Sequence, residues 1–216
     1  MDRARIVLSG KERLASGKVR SVYIHPDDPD KVLKVLHPNE EGATGMKGLM
    51  RRIAPFTRYR HLQRENEVSF RASIMAYEKG EPSPVVAQYG VAYTDLGLAT
   101  ICECVRLPGE TLGRTLDAIA RAGELPGHLD ELNDFARRLF AWGIRANDLH
   151  PNNIVFGERD GLRQFVMIDG LGDSHVIPLR SMSDAFNARS LNKRMERSAK
   201  QIGATWNATD HRFALA

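Results

Sequence analysis

The stretch NDLHPNNIVF, residues 147–156, decides how the rest of the chain is interpreted. It is a polar loop framed by apolar segments, which puts a carboxylate and a side-chain amide at the edge of a core. Asp148 and Asn153 stand five positions apart across a turn, so they can converge on one point. Because a hydroxyl nucleophile needs a nearby base and a hard metal ion needs oxygen ligands, the loop predicts both kinds of chemistry.

A second carboxylate follows in a similar setting. Asp169 ends the apolar run QFVMID and is followed directly by the sequence GLG. The apolar residues would hold this carboxylate, and the glycines would let a ligand approach. Together, Asp148, Asn153 and Asp169 predict an oxygen-rich site of the type that magnesium prefers, completed by the phosphates of a nucleotide.

Two weaker signals lie nearer the N-terminus. The segment LASGKVRSVY, residues 14–23, indicates a strand, a turn and a strand, in which Gly17 would let backbone N–H groups approach a phosphate. An ordinary hairpin with a Ser-Gly turn is the alternative. Lys34 lies between four apolar residues, so it either pairs with an acid, for which Glu65 and Glu67 are candidates, or covers the sheet edge with its stem.

Hydrophobic patterning in the N-terminal half predicts an antiparallel sheet. Between residues 5 and 36, the runs ARIVL, SVYIH and KVLKVL are separated by turn residues and indicate three strands. A helix is expected from about 62 to 77, followed by strands within VVAQYGVAYTD and LGLATICECV. This half is therefore predicted to be a five-stranded antiparallel sheet interrupted by one helix.

After Leu107 the pattern becomes mainly helical. Thr111 is placed to cap a short helix that ends near Ala122, and a last helix is expected from 184 to 201. Two short strands flank the turn at 158–161. A longer helix, buried on one side, is indicated by apolar residues at spacings of three and four. These residues are Leu129, Leu132, Phe135, Leu139 and Trp142.

The order of these motifs resembles that of the protein-kinase superfamily. The segment from Asp148 to Asn153 resembles the catalytic loop, in which an aspartate, four residues and an asparagine precede an apolar strand. LASGKVRSVY resembles the Gly-rich loop, VLKV the lysine strand, RENE the glutamate helix and IDGLG the metal-binding Asp-Phe-Gly motif. The resemblance implies an α+β, protein-kinase-like bilobal fold. Residues 1–105 would form the N-lobe, a five-stranded antiparallel sheet plus one helix, and residues 106–216 a truncated, mainly helical C-lobe.

A closer resemblance is to the small bacterial YrbL family, whose name links it to the PhoP regulatory network. VRSVYIHPDDPDKVLKVL, RENE, LHPNNIVF and GDSHVIPL carry it over nearly the whole chain. It implies a phosphotransferase that uses ATP with Mg²⁺ or Mn²⁺ and has an unknown acceptor: a small molecule, a lipid-linked sugar or a protein. The alternative is a pseudokinase regulator that binds nucleotide and a partner. A basic module for nucleic acid or membranes is a third hypothesis, which rests on charge alone.

The kinase resemblance implies a role for each matching residue of the catalytic site. Asp148 would orient the acceptor hydroxyl and take its proton, while Asn153 and Asp169 would bind magnesium. Lys34 would hold the α- and β-phosphates and pair with Glu65, the first glutamate of RENE.

The same resemblance implies a nucleotide site in the N-terminal half. Gly17 belongs to the phosphate loop, and Val22 would cover the adenine. Glu103 and Val105 would offer backbone groups to the base, with Cys102 at the gatekeeper position.

Several positions depart from the kinase pattern. Ala15 and Arg20 replace the outer glycines of the phosphate loop, and Gly170 replaces the phenylalanine after the metal-binding aspartate. Asn147 stands where kinases carry the arginine before the catalytic aspartate, so control through a phosphorylated activation loop is not expected. Residues 170–216 contain no Ala-Pro-Glu motif, so the large helical platform that holds peptide substrates is not expected.

Composition predicts a folded cytoplasmic protein. Of 216 residues, 42% are hydrophobic and 27% charged, and the net charge is +4. No run reaches the roughly 20 apolar residues of a membrane span, and the N-terminus lacks a secretory signal. Cys102 and Cys104 are expected to be buried thiols in a reducing compartment. The basic segments 47–64 and 189–200 are either solvated faces or sites for an anionic partner, and nucleic acid is not expected to be that partner.

Overall fold

A computed structural model describes residues 5–17, 19–37, 59–172 and 184–216. The chain divides into two compact units. The first consists of Met1–Asn66 and Ala87–Cys104, and the second of Glu67–Val86 and Val105–Ala216. The division of the chain at residue 105 stays a prediction. Residues 47–58 of the first basic segment and most of GDSHVIPL lie outside the described residues.

The first unit contains a five-stranded antiparallel sheet, as predicted. Its strands are β1 (Ala15–Ser16), β2 (Arg20–His25), β3 (Asp28–Leu36), β4 (Gln88–Thr94) and β5 (Gly97–Glu103). They are arranged in the order β1-β2-β3-β5-β4. Tyr23, Leu33, Val35 and Ala99 pack together with Leu8 in a small buried core. Leu33 and Val35 are two apart on β3 and therefore face the same side of the sheet, where their cross-strand partners are Tyr23 on β2 and Ala99 on β5.

The strand expected at ARIVL is wrong. Ile6 makes only an isolated parallel bridge with Thr94. The segment is held instead by the turn after β4, where the Asp95 carboxylate accepts from the backbone N–H groups of Leu8 at 2.7 Å and Ser9 at 3.0 Å. A side-chain carboxylate therefore takes donors that a neighbouring strand would otherwise bind, and the two-residue β1 completes the sheet.

Helix α1 (Arg60–Lys79) is somewhat longer than the predicted helix. Its residues up to Asn66 belong to the first unit, and those from Glu67 onward belong to the second. Glu65 is buried and Glu67 is exposed, which favours Glu65 as the inward-facing acid of RENE. Val68 and Ala72 extend the buried face of the helix into the core of the second unit.

The second unit is mainly helical. Its helices are α2 (Leu116–Arg121), α3 (Leu129–Ala141) and α4 (Asp184–Gln201). Its strands are β6 (Arg114–Thr115), β7 (Ile154–Arg159), β8 (Leu162–Met167), β9 (Ala204–Asn207) and β10 (Arg212–Leu215). The predicted apolar face of α3 is confirmed, since Leu132, Phe135 and Leu139 are fully buried.

The N-cap of α2 is Thr115 rather than Thr111. The Thr115 hydroxyl accepts from the Ala118 N–H at 3.1 Å. Thr115 also pairs with Val155 through the short strand β6, so the strand fixes the cap position. The prediction of Thr111 as the cap is therefore wrong, because it did not take this strand pairing into account.

The hairpin of β7 and β8 positions the end of the polar loop at residues 147–153. Asp160 and Gly161 both have positive φ angles, of 51° and 78°, as a tight two-residue hairpin turn requires. The register places Ile154 opposite Met167. Residues just before β7 and just after β8 are therefore neighbours.

No helix among the described residues is both long enough and apolar enough to cross a membrane.

Candidate active site

The loop before β7 exposes one carboxylate above two buried anchors. Leu149 and Pro151 are buried, whereas Asp148 is exposed. The His150 ring caps the 3-10 turn Pro151–Asn153, because its Nδ1 accepts from the Asn152 N–H at 3.2 Å. The apolar anchors fix the loop to the core and leave the Asp148 carboxylate facing solvent.

Asn153 connects this loop to the strand that carries the second carboxylate. Its Nδ2 donates to the Asp148 carbonyl at 3.1 Å, which directs its amide oxygen away from that carbonyl. Its own carbonyl accepts from the Ile168 N–H at 2.8 Å. Asp169 is the next residue, so the β7–β8 hairpin brings the backbone of Asn153 close to that of Asp169, and their role as metal ligands stays a prediction.

Gly170 joins the two loops from the other side. Its carbonyl accepts from the N–H groups of Asn147 at 2.7 Å and Asp148 at 3.1 Å. Its φ is 76°, and a Cβ built there would lie 2.6 Å from the Asp148 carbonyl oxygen and 2.8 Å from the Asp148 Cβ. Position 170 therefore requires glycine, because the Cβ of a phenylalanine there would collide with the Asp148 carbonyl oxygen and Cβ.

Two further contacts extend the same frame. Ala146 and Leu171 form an antiparallel bridge, and the Gly172 N–H donates to the Arg145 carbonyl at 2.8 Å. The Asp169 Oδ1 accepts from the Gly170 N–H at 2.6 Å. Asp148, Asn153 and Asp169 are thus held in one hydrogen-bonded frame within the second unit.

The side chains at this site could supply part of the coordination shell of a metal ion, with the rest supplied by a bound substrate. Within the described ranges, no three His, Cys, Asp or Glu side chains are grouped so that they could hold a metal ion by themselves. Asn153 and Asp169 supply an amide and a carboxylate, which are oxygen donors of the kind that Mg²⁺ uses when phosphates and water complete its shell.

Helix α4 also holds this frame, through a residue that the sequence analysis counted only as part of a basic cluster. Arg194 donates through Nη1 to the backbone carbonyl of Asn147 and through Nη2 to its side-chain Oδ1 at 3.1 Å. The Nε of Arg194 lies 3.4 Å from the Ser190 hydroxyl. Arg194 of α4 therefore binds Asn147, which stands at the position where kinases carry an arginine.

The first unit contains the predicted cation and acid. Lys34 is only 6% exposed on β3, opposite Thr100 of β5. The sequence predicted Lys34 as the cation for Glu65, but both carboxylate oxygens of Glu65 accept from the guanidinium of Arg20, at 2.7 and 2.8 Å. The phosphate-binding role of Lys34 stays a prediction.

The predicted nucleotide residues occupy varied environments. Gly17 is exposed and closes a tight turn, because its N–H donates to the Arg20 carbonyl at 2.8 Å. Val22 is half-buried on β2. The Glu103 N–H donates to the Ala87 carbonyl at 3.0 Å, whereas the Val105 carbonyl accepts from another backbone group in the second unit.

Cys102 and Cys104 are both buried thiols, as predicted. Cys102 lies opposite Val32 on β3. Its assignment as the gatekeeper stays a prediction.

A cavity of about 930 Å³ lies elsewhere in the second unit. Arg71 of α1, Phe140 of α3, Asn187 of α4 and His211 before β10 are among the residues that line it. None of the predicted catalytic, nucleotide or metal residues lines this cavity. It is therefore distinct from the candidate active site.

Sequence reasoning missed two arginines, and each left a signal. Arg20 lies two positions before Val22 on β2 and so shares its face of the sheet, where a charge away from solvent implies a partner. Arg194 follows Leu191 by three positions and precedes Ser198 by four, which places it beside the buried face of α4. In both cases the signal in the sequence is an arginine on or next to an apolar face of its strand or helix.

Comparison with solved structures defines the class of protein. A double mutant of the Mycobacterium tuberculosis PknI kinase domain has a TM-score of 0.50 and 19% identity, over 89% of this chain and 73% of that domain. Another double mutant has a TM-score of 0.49 and 18% identity, over 94% and 77% of the two chains. A single mutant has a TM-score of 0.47 and 19% identity, over 87% and 71%. At the TM-score of 0.50 the likeness shows the fold, and the chain has a protein-kinase-like α+β fold.

A family model narrows this class. The model described as PhoP regulatory network protein YrbL matches residues 6–203. The chain belongs to the YrbL family, as its sequence motifs predicted. The comparison with curated proteins gives no match.

Proposed function

We propose that this chain is an ATP- and Mg²⁺-dependent phosphotransferase of the YrbL type. The observation that carries the proposal is the double backbone contact of Gly170 with Asn147 and Asp148. Together with the Asn153–Ile168 hydrogen bond, it fixes an exposed carboxylate beside a second carboxylate and an amide. A structural role alone would not require three such polar groups to converge at the edge of a core.

Asp148 acts on the acceptor hydroxyl. Its carboxylate orients the hydroxyl and takes its proton as the acceptor oxygen forms a bond to the γ-phosphorus of ATP. The bond from that phosphorus to the bridging oxygen breaks, and its electron pair leaves with ADP. An exposed carboxylate on a rigid loop fits this role, because an acceptor has to reach it from solvent.

Asn153 and Asp169 are the residues that would hold the metal. When bound, Mg²⁺ would neutralise charge on the phosphate oxygens. The hydrogen bond from Asn153 Nδ2 to the Asp148 carbonyl leaves the amide oxygen as the atom for this purpose. Mn²⁺ is expected to substitute, since it accepts the same oxygen ligands.

The first unit would hold the phosphates of the nucleotide. Lys34 would contact the α- and β-phosphates, and the turn at Gly17 would approach them through its backbone N–H groups. Among the residues that the structure describes, and apart from its chain neighbours, a Cβ at Gly17 would come within 4 Å of one atom, the Arg20 carbonyl oxygen at 3.8 Å. Val22, Glu103 and Val105 would surround the adenine, as the kinase resemblance implies.

The acceptor carries a hydroxyl group and is a small molecule, a lipid-linked sugar or a protein. The exposed side of α4 presents a row of basic residues that would recruit an anionic acceptor in the cytoplasm. Its exposed members are Arg189, Lys193, Arg197 and Lys200.

Transfer from γ-labelled ATP tests the proposal. The wild-type protein with Mg²⁺ is expected to transfer or release the label, and Asp148→Asn and Asp169→Ala are each expected to lower the rate at least about 100-fold. Asp27→Asn is the matched control, because Asp27 is exposed in the turn between β2 and β3. Tight nucleotide binding with no turnover under Mg²⁺ or Mn²⁺ would reject the transferase and leave a nucleotide-binding regulator.

A further inference from the structure

Arg20 and Glu65 form a buried ion pair in the first unit. Nη1 of Arg20 lies 2.7 Å from Oε2 of Glu65, and Nη2 lies 2.8 Å from Oε1. The two side chains are 12% and 7% exposed. Two parallel, charge-assisted hydrogen bonds use both oxygens of the carboxylate. Glu65 is therefore fixed in orientation.

Lys34 lies on the same face of the sheet as Arg20. In the register of β2 and β3, Arg20 is opposite Leu36 and Val22 is opposite Lys34. Residues directly opposite share a face, and so do residues two apart on a strand, which makes Arg20 and Lys34 diagonal neighbours about 7 Å apart. The sheet therefore presents two cations, Arg20 and Lys34, on the face where the sequence predicted Lys34 alone as the partner of the helix glutamate.

Geometry and burial favour Arg20 for this role. The planar guanidinium matches the two oxygens of a carboxylate, whereas the lysine ammonium is a single point charge on a flexible stem. Breaking the pair would leave Arg20 and Glu65 buried without their counter-charges, which is strongly destabilising. Glu65 is therefore expected to remain with Arg20 when other groups approach.

The backbone of Arg20 also closes the predicted phosphate turn. Its carbonyl accepts from the Gly17 N–H at 2.8 Å, and Ser16 and Ser21 are paired across the same turn. The carbonyl of Arg20 thus holds the turn while its side chain holds the first part of α1. Arg20 therefore connects the phosphate turn to α1, and kinase chemistry requires these two elements to be correctly placed relative to each other.

We propose that Arg20 is a positioning residue of the phosphotransfer site, which fixes Glu65 and α1 relative to the phosphate turn so that Lys34 acts on the phosphates rather than on Glu65. This inference rests on the proposed function. Under it, two tasks that the kinase resemblance assigns to Lys34 are divided between two cations. The arginine at the position of an outer loop glycine is then a functional replacement.

Two double-mutant cycles on the transfer reaction test this division. The first combines Arg20→Met with Glu65→Gln, and the second combines Lys34→Met with Glu65→Gln. Arg20→Met and Glu65→Gln are each expected to lower kcat about tenfold, with the KM for ATP changed less than about threefold and with no further loss in the double variant. Lys34→Met is expected to raise the KM for ATP at least about tenfold and to combine multiplicatively with Glu65→Gln.

Two further variants separate charge, geometry and folding. Arg20→Lys keeps the charge but not the two parallel bonds, so its kcat is expected between those of the wild type and Arg20→Met; it replaces Arg20→Met in the cycle if that variant does not fold. Arg121→Met removes an arginine whose side chain is 78% exposed, and its kcat should equal that of the wild type.

Three outcomes would overturn the inference. One is coupling of Glu65 to Lys34 instead of Arg20. Another is a multiplicative effect in both cycles. The third is an Arg20→Met protein with wild-type kcat and a lowered urea midpoint, which would make the pair structural only. If the wild type itself transfers no phosphate, the proposed function fails and this inference fails with it, whereas an active wild type combined with any one of the three outcomes above overturns the inference alone.

Discussion

Gly170 shows how much of the candidate site depends on one missing side chain. Its φ of 76° belongs to the left-handed region, and any Cβ there would meet the backbone of Asp148. We expect Gly170→Ala to lower the free energy of unfolding by about 2 kcal/mol or more, from backbone strain and the clash together. Urea denaturation measures this loss of stability. The rate of phosphoryl transfer should fall with it, because Asp148 is displaced.

Gly109 provides a matched control for this change. Its φ is 83°, and a Cβ built there would meet nothing within 4 Å. Gly109→Ala is therefore expected to cost only the backbone strain, about 1 kcal/mol, and to leave transfer unchanged. Equal losses of stability and activity in the two variants would contradict the role assigned to the contact with Asp148.

Sequence identified the polar residues of the site better than the contacts between them. Asp148, Asn153 and Asp169 could be predicted because each stands at the edge of an apolar run, where a polar side chain has a restricted location. The pairing of Arg20 with Glu65 could not, since it depends on the approach of α1 to one face of the sheet. Gly170 was recognised as a departure, but its close approach to Asp148 is a property of two loops in three dimensions.

At the scale of elements, the turn between β4 and β5 holds the segment that precedes β1. The Asp95 carboxylate accepts from two backbone N–H groups and from the Ser9 hydroxyl. These hydrogen bonds lower the pKa of Asp95 from 3.8 to about 2, with the Ser9 hydroxyl as the largest cause. The ionised form is thus favoured in the folded protein.

Stability should depend on pH accordingly. Because the pKa of Asp95 is lower in the folded state than in the unfolded state, its contribution is present above pH 3.8 and is lost as the pH falls toward 2. Asp95→Asn is expected to have a lower urea midpoint than the wild type at pH 7, and the difference should shrink between pH 4 and pH 2. A difference that stays constant over this range would show that ionisation of Asp95 is not the cause.

Elements with strong local signals were predicted well, and those made by tertiary pairing were not. The bounds of α4 agree with the prediction because its apolar and charged residues alternate with helical period. The turn at Asp160 and Gly161 was predicted from residues that tolerate positive φ. The hairpin of β9 and β10 was missed, since such short strands form only against neighbours already in place.

At the scale of the whole molecule, motif order was more informative than any single motif. Each of the five kinase-like segments has an ordinary structural alternative, but their order along the chain predicted the fold that the comparisons show. The YrbL family was predicted from the segments VRSVYIHPDDPDKVLKVL, RENE, LHPNNIVF and GDSHVIPL. The acceptor could not be predicted, because the residues that select it are not part of that order. The basic face of α4 restricts it only by charge.

The central claim is that Asn153 and Asp169 bind a metal ion together with the phosphates of a nucleotide. Titration of ATP into the protein with and without Mg²⁺ tests it most directly, with Asn152→Ala as the control for Asn153→Ala, because Asn152 is exposed in the same turn. The account predicts that Mg²⁺ strengthens ATP binding at least about tenfold in the wild type and in Asn152→Ala, and that Asn153→Ala loses this gain. Equal affinity with and without Mg²⁺ in the wild type, or an equal loss in both asparagine variants, would contradict it.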